Sequence, residues 1–392
     1  MPYSVYGFAL AMALFTTGNA LVLSSSVLVG TQLASQPSLA TLPLVAQYIG
    51  LMLATLPMAH FMAKRTRRLG FLLGTLAGLG GALLAVYGIY QGQFLYFVIG
   101  VFGTGLAIGT AQQYRFAAIE EAPEALHSQA IAWVISGGIV AALVGPRLAV
   151  ASRDLWAQWP FLGTFTVLAG VYILALVAWR YLPIKPLPVL THVDQPRDYR
   201  RLYQQPPLRL IALTTGLAYG LLVFTVGALP LAMQQVGFSF SDLAWVMQAH
   251  ILAMFAPSLL MGKLLDRIGI RAMFLLGTLS LIGTFAVHLL GQSFGHFLVA
   301  MTLLGLAWNI LFLASTRLLP QTYRPVEKAK VQGATDLLIF ASAAIASLLA
   351  APALIGLGWP LFNGLALILA GGLLSALILY RRTLPARPAG LR

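Results

Sequence analysis

The chain contains no cysteine and only ten acidic residues among its 392 positions. Without cysteine it cannot form disulfides, iron–sulfur clusters or thiolate metal sites. Charged residues of both signs make up 9% of the sequence, whereas an ordinary soluble protein carries about 25%. So little charge cannot cover the surface of a water-soluble fold. The composition therefore excludes the two or three soluble domains that this length would otherwise suggest.

Charge is missing altogether from five long stretches of the chain. A helix that crosses the hydrocarbon core of a bilayer needs about 20 mostly apolar residues. Each stretch is long enough for one or two such helices, and apolar residues make up 59% of the whole sequence. The pattern predicts an all-α integral membrane protein. The charge-free stretches are 1–63, 69–114, 210–241, 272–316 and 337–380.

Turn residues and charges divide the chain into twelve predicted transmembrane helices in two pseudo-symmetric six-helix halves. The predicted domains are an N-terminal half at 1–181, a linker at 182–207, a C-terminal half at 208–380 and a tail at 381–392. The predicted helices lie at 4–30, 39–62, 71–90, 94–117, 131–150, 161–181, 208–232, 242–262, 272–290, 296–318, 335–354 and 360–380.

The basic residues give the orientation of these helices. Of 24 Lys and Arg residues, 20 fall in the connections that share a side with both termini, and only Arg147 and Arg153 fall in the other connections. Lys and Arg favour the cytoplasmic side of a membrane. We therefore expect a multi-pass protein of the bacterial inner membrane with both termini and the linker in the cytoplasm. The basic residues form no face with interleaved aromatic residues, so the net charge of +14 does not indicate a nucleic-acid partner.

The second half of the sequence repeats features of the first. Gly105-Leu106-Ala107 recurs as Gly305-Leu306-Ala307, and Arg115 late in helix 4 is matched by Arg317 late in helix 10. Two six-helix halves joined by a polar linker are the layout of a major facilitator transporter. In such folds the two halves move about a substrate site near the middle of the membrane. The small residues around Gly105 are typical of close helix packing rather than of a nucleotide loop.

The residues from Gly262 to Arg271 match the G-x-L-x-D-R-x-G-x-R loop of that family. A carboxylate near a helix end can accept charge-assisted hydrogen bonds, and glycines allow a tight turn. We therefore expect this loop, between helices 8 and 9, to act in gating. In the first-half copy Ala63 stands in place of the acid. The predicted gating residues are Gly262, Asp266, Arg267, Gly269 and Arg271.

Ionisable residues within membrane helices are costly and so are candidates for function. Arg115 and Arg317 lie near cytoplasmic helix ends, where snorkelling is an alternative explanation. Asp336 is predicted to open helix 11, which leaves a helix-start acid and a coupling role both open. His250 and Met254 are one turn apart on helix 8 and could hold Cu(I). A histidine satisfied by a neighbouring helix is the alternative.

Several motifs resemble the CcoA/RfnT group of bacterial major facilitator proteins. They include Tyr114-Arg115-Phe116-Ala117-Ala118, Pro230-Leu231-Ala232-Met233, His250-Ile251-Leu252-Ala253-Met254 and Gln332-Gly333-Ala334-Thr335-Asp336. The resemblance spans nearly the whole chain. It implies import of copper, as in the CcoA type, or of riboflavin, as in the RfnT type. The copper type pairs the H-x-x-x-M of helix 8 with M-x-x-x-M in helix 7, where this chain has Leu222 and Val226.

The function indicated by the sequence is secondary transport of a small solute by alternating access, with no enzyme activity and no cofactor. No metalloprotease motif, paired acids or Ser/His/Asp set appears in the helices. An imported organic solute such as riboflavin fits best, because the aromatic residues Tyr114, Tyr219 and Trp308 suit a flat ring. Copper import, efflux by antiport and a non-transporting sensor remain alternatives, and we expect a monomer. The predicted substrate-binding or coupling residues are Asn19, Gln47, Arg115, His250, Met254, Trp308, Asn309 and Asp336, of which His250 and Met254 are also the candidate metal ligands.

Overall fold

A computed structural model describes residues 2–123, 126–181 and 197–380, and the regular structure in these ranges is helical. The predicted tail at 381–392 and residues 182–196 of the predicted linker lie outside the described residues. The helices are α1 (Tyr3–Leu33), α2 (Leu42–Lys64), α3 (Arg67–Tyr90), α4 (Phe94–Ala111), α5 (Tyr114–Glu121), α6 (His127–Arg153), α7 (Leu162–Tyr181), α8 (Tyr199–Leu202), α9 (Pro206–Gln235), α10 (Phe240–Phe255), α11 (Ser258–Leu290), α12 (Phe294–Leu318) and α13 (Lys328–Tyr380).

Glycines divide two of these helices into separate membrane crossings. A straight helix of 53 residues would be about 80 Å long, far more than the roughly 30 Å of a hydrocarbon core. Gly269 in α11 and Gly358 in α13 have φ values of 83° and 71°, which interrupt the helical backbone. With α4–α5 and α10 plus the start of α11 each forming one crossing, the described chain crosses the membrane twelve times. The predicted fold of two six-helix halves is confirmed.

Two of the predicted helix boundaries are wrong, one around residues 262–271 and one at the start of α13. Residues 262–271 are not a loop, because they belong to α11 and only Gly269 leaves the helical backbone. The eleventh predicted helix, 335–354, belongs to α13, which begins at Lys328 rather than at 335. Asp336 therefore lies two turns inside α13. The polar residues before Asp336 hid this extension, since they carry no apolar pattern. Asp336 is therefore not a helix-start acid.

Within each half, a glycine lets one equivalent pair of helices pack closely, α2 with α4 in the first half and α10 with α12 in the second. A side chain at Gly105 in α4 would collide with the backbone carbonyl of Gln47 in α2. In the second half a side chain at Gly305 in α12 would collide with the backbone carbonyl of His250 in α10. Gln47 and His250 therefore occupy equivalent positions of the repeat. The glycines act in packing, as their place in membrane helices predicts.

The two halves meet chiefly through two pairs of helices, α2 with α13 and α6 with α10. We call the end of the bundle with the α2–α3 turn, Gly269 and the start of α13 the linker end. The opposite end, with the turns at Gly92, Gly237 and Gly358, is the far end. These two interfaces surround the space in which α1 and α9 approach each other.

Hydrogen bonds from Arg197 and Lys330 attach the described part of the linker to the second half, and we call the group Arg197, Glu327 and Lys330 the strap. Arg197 donates two side-chain hydrogen bonds to Glu327, of 2.6 and 2.7 Å, and Lys330 donates one to the carbonyl of Arg197. The hydrogen bonds from the Arg197 guanidinium lower the pKa of the buried Glu327 carboxyl to about 2. Because the pKa is lowered, the pairing is present at neutral pH and is lost only as the pH falls towards 2.

Gly358 and Gly356 provide a matched test of the break in α13. An added Cβ would meet no atom within 4 Å at either position, but only Gly358 has a positive φ. With ψ of 168°, Gly358 lies in a region that other residues enter at a cost of about 1–3 kcal/mol. We expect Gly358→Ala to lower the free energy of unfolding by that amount and Gly356→Ala to leave it unchanged or raise it. Thermal unfolding in detergent measures both, and equal effects would contradict the assignment.

Candidate functional site

An amide pair joins α1 and α2 near mid-depth of the first half. The side-chain nitrogen of Gln47 donates a hydrogen bond of 3.1 Å to the side-chain oxygen of Asn19. Gln47 is buried and Asn19 is partly buried. The bond fixes the orientation of both amides and leaves the Asn19 nitrogen and the Gln47 oxygen free of described side-chain partners. The sequence placed both residues in the site, and the structure brings them together.

His250 is anchored to a neighbouring helix. Its Nδ1 lies 2.9 Å from the carbonyl oxygen of Met301 in α12, and the residue is buried. This bond fixes the ring. It agrees with the alternative interpretation of the sequence, in which the histidine is hydrogen-bonded by a neighbouring helix. Met254, one turn further along α10, is partly buried against the core. The two residues share a helix face, as their spacing predicts.

Asn309 in α12 holds together the break between α10 and α11. Its side-chain nitrogen donates to the carbonyl of Met254 and to the hydroxyl of Ser258, on either side of Pro257. Proline lacks a backbone N–H, so it weakens the helix at this point. The side-chain oxygen of Asn309 is buried and accepts no hydrogen bond from a described residue. Asn309 thus has a structural bond on one side and an unused acceptor on the other.

Aromatic side chains from both halves form a connected group, which we call the aromatic wall. Tyr219 in α9 lies at its centre, with its ring 6.3 Å from Trp308, 6.3 Å from Phe340 and 6.4 Å from Tyr48. Trp308 also contacts Phe255, at 6.1 Å. The narrow cleft lined by Tyr219 and Trp308 has barely room for one water molecule. The wall consists of Tyr48, Tyr219, Phe255, Trp308 and Phe340.

The sequence anticipated only part of this wall. It named Tyr219 and Trp308, but Tyr48, Phe255 and Phe340 look like ordinary membrane-helix residues and carry no separate signal. It also named Tyr114, which was wrong. Tyr114 is fully buried inside the first half, with its ring 4.8 Å from Phe71 and 5.4 Å from Phe15. Its ring packs in the core of that half.

Two residues of opposite charge lie on opposite halves of the bundle, nearer the linker end. Arg115 lies in the first turn of α5 in the first half and Asp336 lies in α13 of the second, and both are partly buried. No ion pair within 4.0 Å joins these two residues. The Nε of Arg115 is buried and has no described hydrogen-bond partner. By contrast Arg317, its counterpart in the repeat, is exposed, as snorkelling requires.

The predicted gating residues lie together at the linker end. Asp266 and Arg267 are exposed, and no hydrogen bond or ion pair joins Asp266 to another described residue. Gly262 lies in the same helix, Gly269 makes the break, and Arg271 follows it, partly buried.

The first-half copy of this motif has an acid from another helix. Arg67, which is buried, makes a bidentate ion pair with Glu120 at the end of α5. The neighbouring Glu121 accepts a hydrogen bond from Ser4. The acid missing at Ala63 is therefore supplied from the end of the fourth crossing, which the sequence analysis did not foresee. The scarcity of acids in the chain was the signal that could have drawn attention to Glu120.

Comparison with known proteins decides the family. The riboflavin transporter RfnT of Brucella anthropi is 36% identical over 373 residues, which cover 94% of each chain. The chain belongs to the major facilitator superfamily. The profile "Major Facilitator Superfamily" matches residues 210–392. The MFS-type transporter YdeG of Bacillus subtilis is 29% identical over 379 residues, 91% of this chain and 86% of its own.

Solved structures of major facilitator transporters share the fold. A bacterial homologue of the human lysosomal transporter Spinster superposes with a TM-score of 0.72 at 13% identity, over 97% of each chain. The human organic anion transporter MFSD10 gives 0.70 at 16% identity, over 96% of this chain and 100% of its own. This superfamily member is thus a multi-pass membrane transporter with a small-molecule substrate, and it is not an enzyme.

Proposed function

We propose that this transporter imports a flat organic solute, with riboflavin as the leading candidate. The observation that carries the proposal is the aromatic wall at mid-depth, whose first-half member Tyr48 directly follows Gln47 of the amide pair in α2. A fused ring system stacks on aromatic side chains, and its imide edge needs donors and acceptors such as amides. The resemblance to the Brucella riboflavin transporter supports the same substrate.

Each candidate residue then has a distinct role. Trp308 and Tyr219 stack against the solute ring, and Gln47 and Asn19 bind its polar edge. The unused oxygen of Asn309 accepts a hydrogen bond from the solute. His250 and Met254 support the wall from α10, with the His250 ring held by Met301. Arg115 and Asp336 lie between this site and the linker end, where they act in coupling.

Copper import is the competing function, and the spacing of His250 and Met254 favours it. Cu(I) prefers soft thioether ligands. Leu222 and Val226, at the helix 7 positions where the copper type carries methionines, are buried apolar side chains without sulfur. A copper site here would have one imidazole and one thioether. The flat organic solute is therefore the better fit.

One uptake experiment separates the two functions. We expect expression of the chain to restore growth of a riboflavin-auxotrophic bacterium on low riboflavin. Labelled riboflavin should enter the cells, and excess copper should not compete. Failure to restore growth, together with copper accumulation that is lost in His250→Ala, would replace riboflavin with copper.

We further propose that the transporter is a monomer of the bacterial inner membrane with both termini in the cytoplasm. The distribution of Lys and Arg supports this orientation. The linker end then faces the cytoplasm and the far end faces the periplasm. A reporter fused after Arg392 that is active only in the periplasm would contradict the orientation.

Asp266 is proposed to act in gating at the linker end. It has no described partner in this structure, so its charge-assisted bonds would form in the opposite state of the transport cycle. We expect Asp266→Asn to slow solute uptake while insertion and abundance stay normal. Asp198→Asn, which removes another exposed acid from the same end, is the control. Equal uptake by both variants would show that the motif no longer acts as a gate.

A further inference from the structure

Arg147 makes two contacts across the halves at the far end. Its guanidinium lies 3.3 Å from the centre of the Trp245 ring, and its Nε donates a hydrogen bond of 3.0 Å to the side-chain oxygen of Gln248. Arg147 is on α6 of the first half, while Trp245 and Gln248 are one turn apart on α10 of the second. A single side chain therefore joins two elements that must separate when the halves move.

A second set of contacts lies closer to the end of the bundle. The rings of Phe161 and Phe240, again from opposite halves, meet edge to face at 5.1 Å. The guanidinium of Arg153 lies over both rings, at 5.2 and 5.5 Å. The part of α9 that leads to this end is buried from Leu221 to Met233. Together these contacts close the far end.

The described residues at the linker end make other contacts between the halves. There α13 meets α2 where Leu56 packs over Gly333, and no ion pair within 4.0 Å joins Arg115 to Asp336. In the described structure the contacts of Arg147 and Arg153 hold the far end closed. In a transporter that opens to each side in turn, the contacts that close one end set how often that end opens.

We propose that Arg147, Trp245 and Gln248 form a latch that holds the far end closed and must break before solute enters from that side. Arginine suits this role because its planar group stacks on an indole and donates a directed hydrogen bond from Nε at the same time. Lysine has the charge but lacks that geometry. The latch acts on the movement of the halves, so it does not depend on which solute is carried.

The test measures the opening of the far end directly. The natural chain has no cysteine, so spin labels can be attached at Leu155→Cys and Val236→Cys, two exposed far-end positions on opposite halves. Pulsed electron paramagnetic resonance in lipid nanodiscs, without solute, gives the distribution of distances between the two spin labels. We expect Arg147→Gln to raise the population with the longer distance about tenfold, which corresponds to about 1.4 kcal/mol. Arg147→Lys should behave like Arg147→Gln.

Two further variants guard against a general loss of structure. Gln248→Ala removes only the hydrogen bond and should give a smaller shift in the same direction. Arg317→Gln removes an exposed arginine at the linker end and should leave the distribution unchanged. A distribution in Arg147→Gln that matches the parent chain, or full rescue by Arg147→Lys, would overturn the latch. Because no solute is present, either outcome leaves the riboflavin proposal unaffected.

Discussion

Asp336→Asn is expected to abolish accumulation of solute against a gradient while exchange across the membrane continues. Asp336 lies two turns inside α13 and is partly buried, as is Arg115 on the other half. A carboxyl that can take up and release a proton between the halves can couple the proton gradient to their movement. One proton driven by about 100 mV contributes roughly 2.3 kcal/mol, enough for a concentration ratio of about fifty. Asparagine removes the proton site and keeps the size of the side chain.

Proteoliposomes with an imposed proton gradient provide the measurement. Asp336→Glu keeps a carboxyl and should retain most of the accumulation, whereas the asparagine variant should reach only the outside concentration. Equilibrium exchange of labelled solute should continue in both. If the asparagine variant still concentrates solute, Asp336 does not carry the proton. His250 would then be the remaining candidate, or transport would be facilitated diffusion.

Trp308→Ala is expected to weaken solute binding about 5- to 150-fold, because loss of one stacking platform costs roughly 1–3 kcal/mol. Trp308 is the residue of the aromatic wall that contacts Tyr219 and Phe255 at once. Trp308→Phe keeps a ring and should lose less. Quenching of riboflavin fluorescence by the purified protein gives the dissociation constants. Trp156→Ala changes an exposed tryptophan outside the wall and serves as control.

Competition sharpens this result. A flavin ring without the ribityl chain should compete with riboflavin, while the free sugar alcohol should not, because stacking provides most of the affinity. Competition by the sugar alcohol alone, or unchanged binding by Trp308→Ala, would place the solute away from the wall.

The fold could be predicted from the sequence because every helix that crosses a bilayer must be long and apolar. Charge-free stretches and the one-sided placement of Lys and Arg are set by the solvent, not by the details of packing. The turn at Gly358 could be placed to within a few residues for the same reason. The start of helix 11 could not, because Lys328 and Gln332 look like loop residues when read alone.

The site was only partly predictable because its contacts join residues far apart in the sequence. Asn19 and Gln47 stood out as amides in apolar helices, and the structure pairs them. Nothing in the sequence near Arg67 indicates that Glu120 is its partner, or that Arg147 reaches Trp245. Tyr114 and Tyr219 are both tyrosines in apolar helices and look equivalent in the sequence. The rotation of their helices places Tyr114 in the core of the first half and Tyr219 in the aromatic wall. Such outcomes depend on the packing of whole helices.

The strap of Arg197 on Glu327 bears on how the two halves are tied to each other. The strap binds Arg197 to the second half, so the chain that joins the two halves runs from Tyr181 to Arg197. A chain severed there would keep the strap on its second half, and the helix contacts alone would have to hold the pieces together.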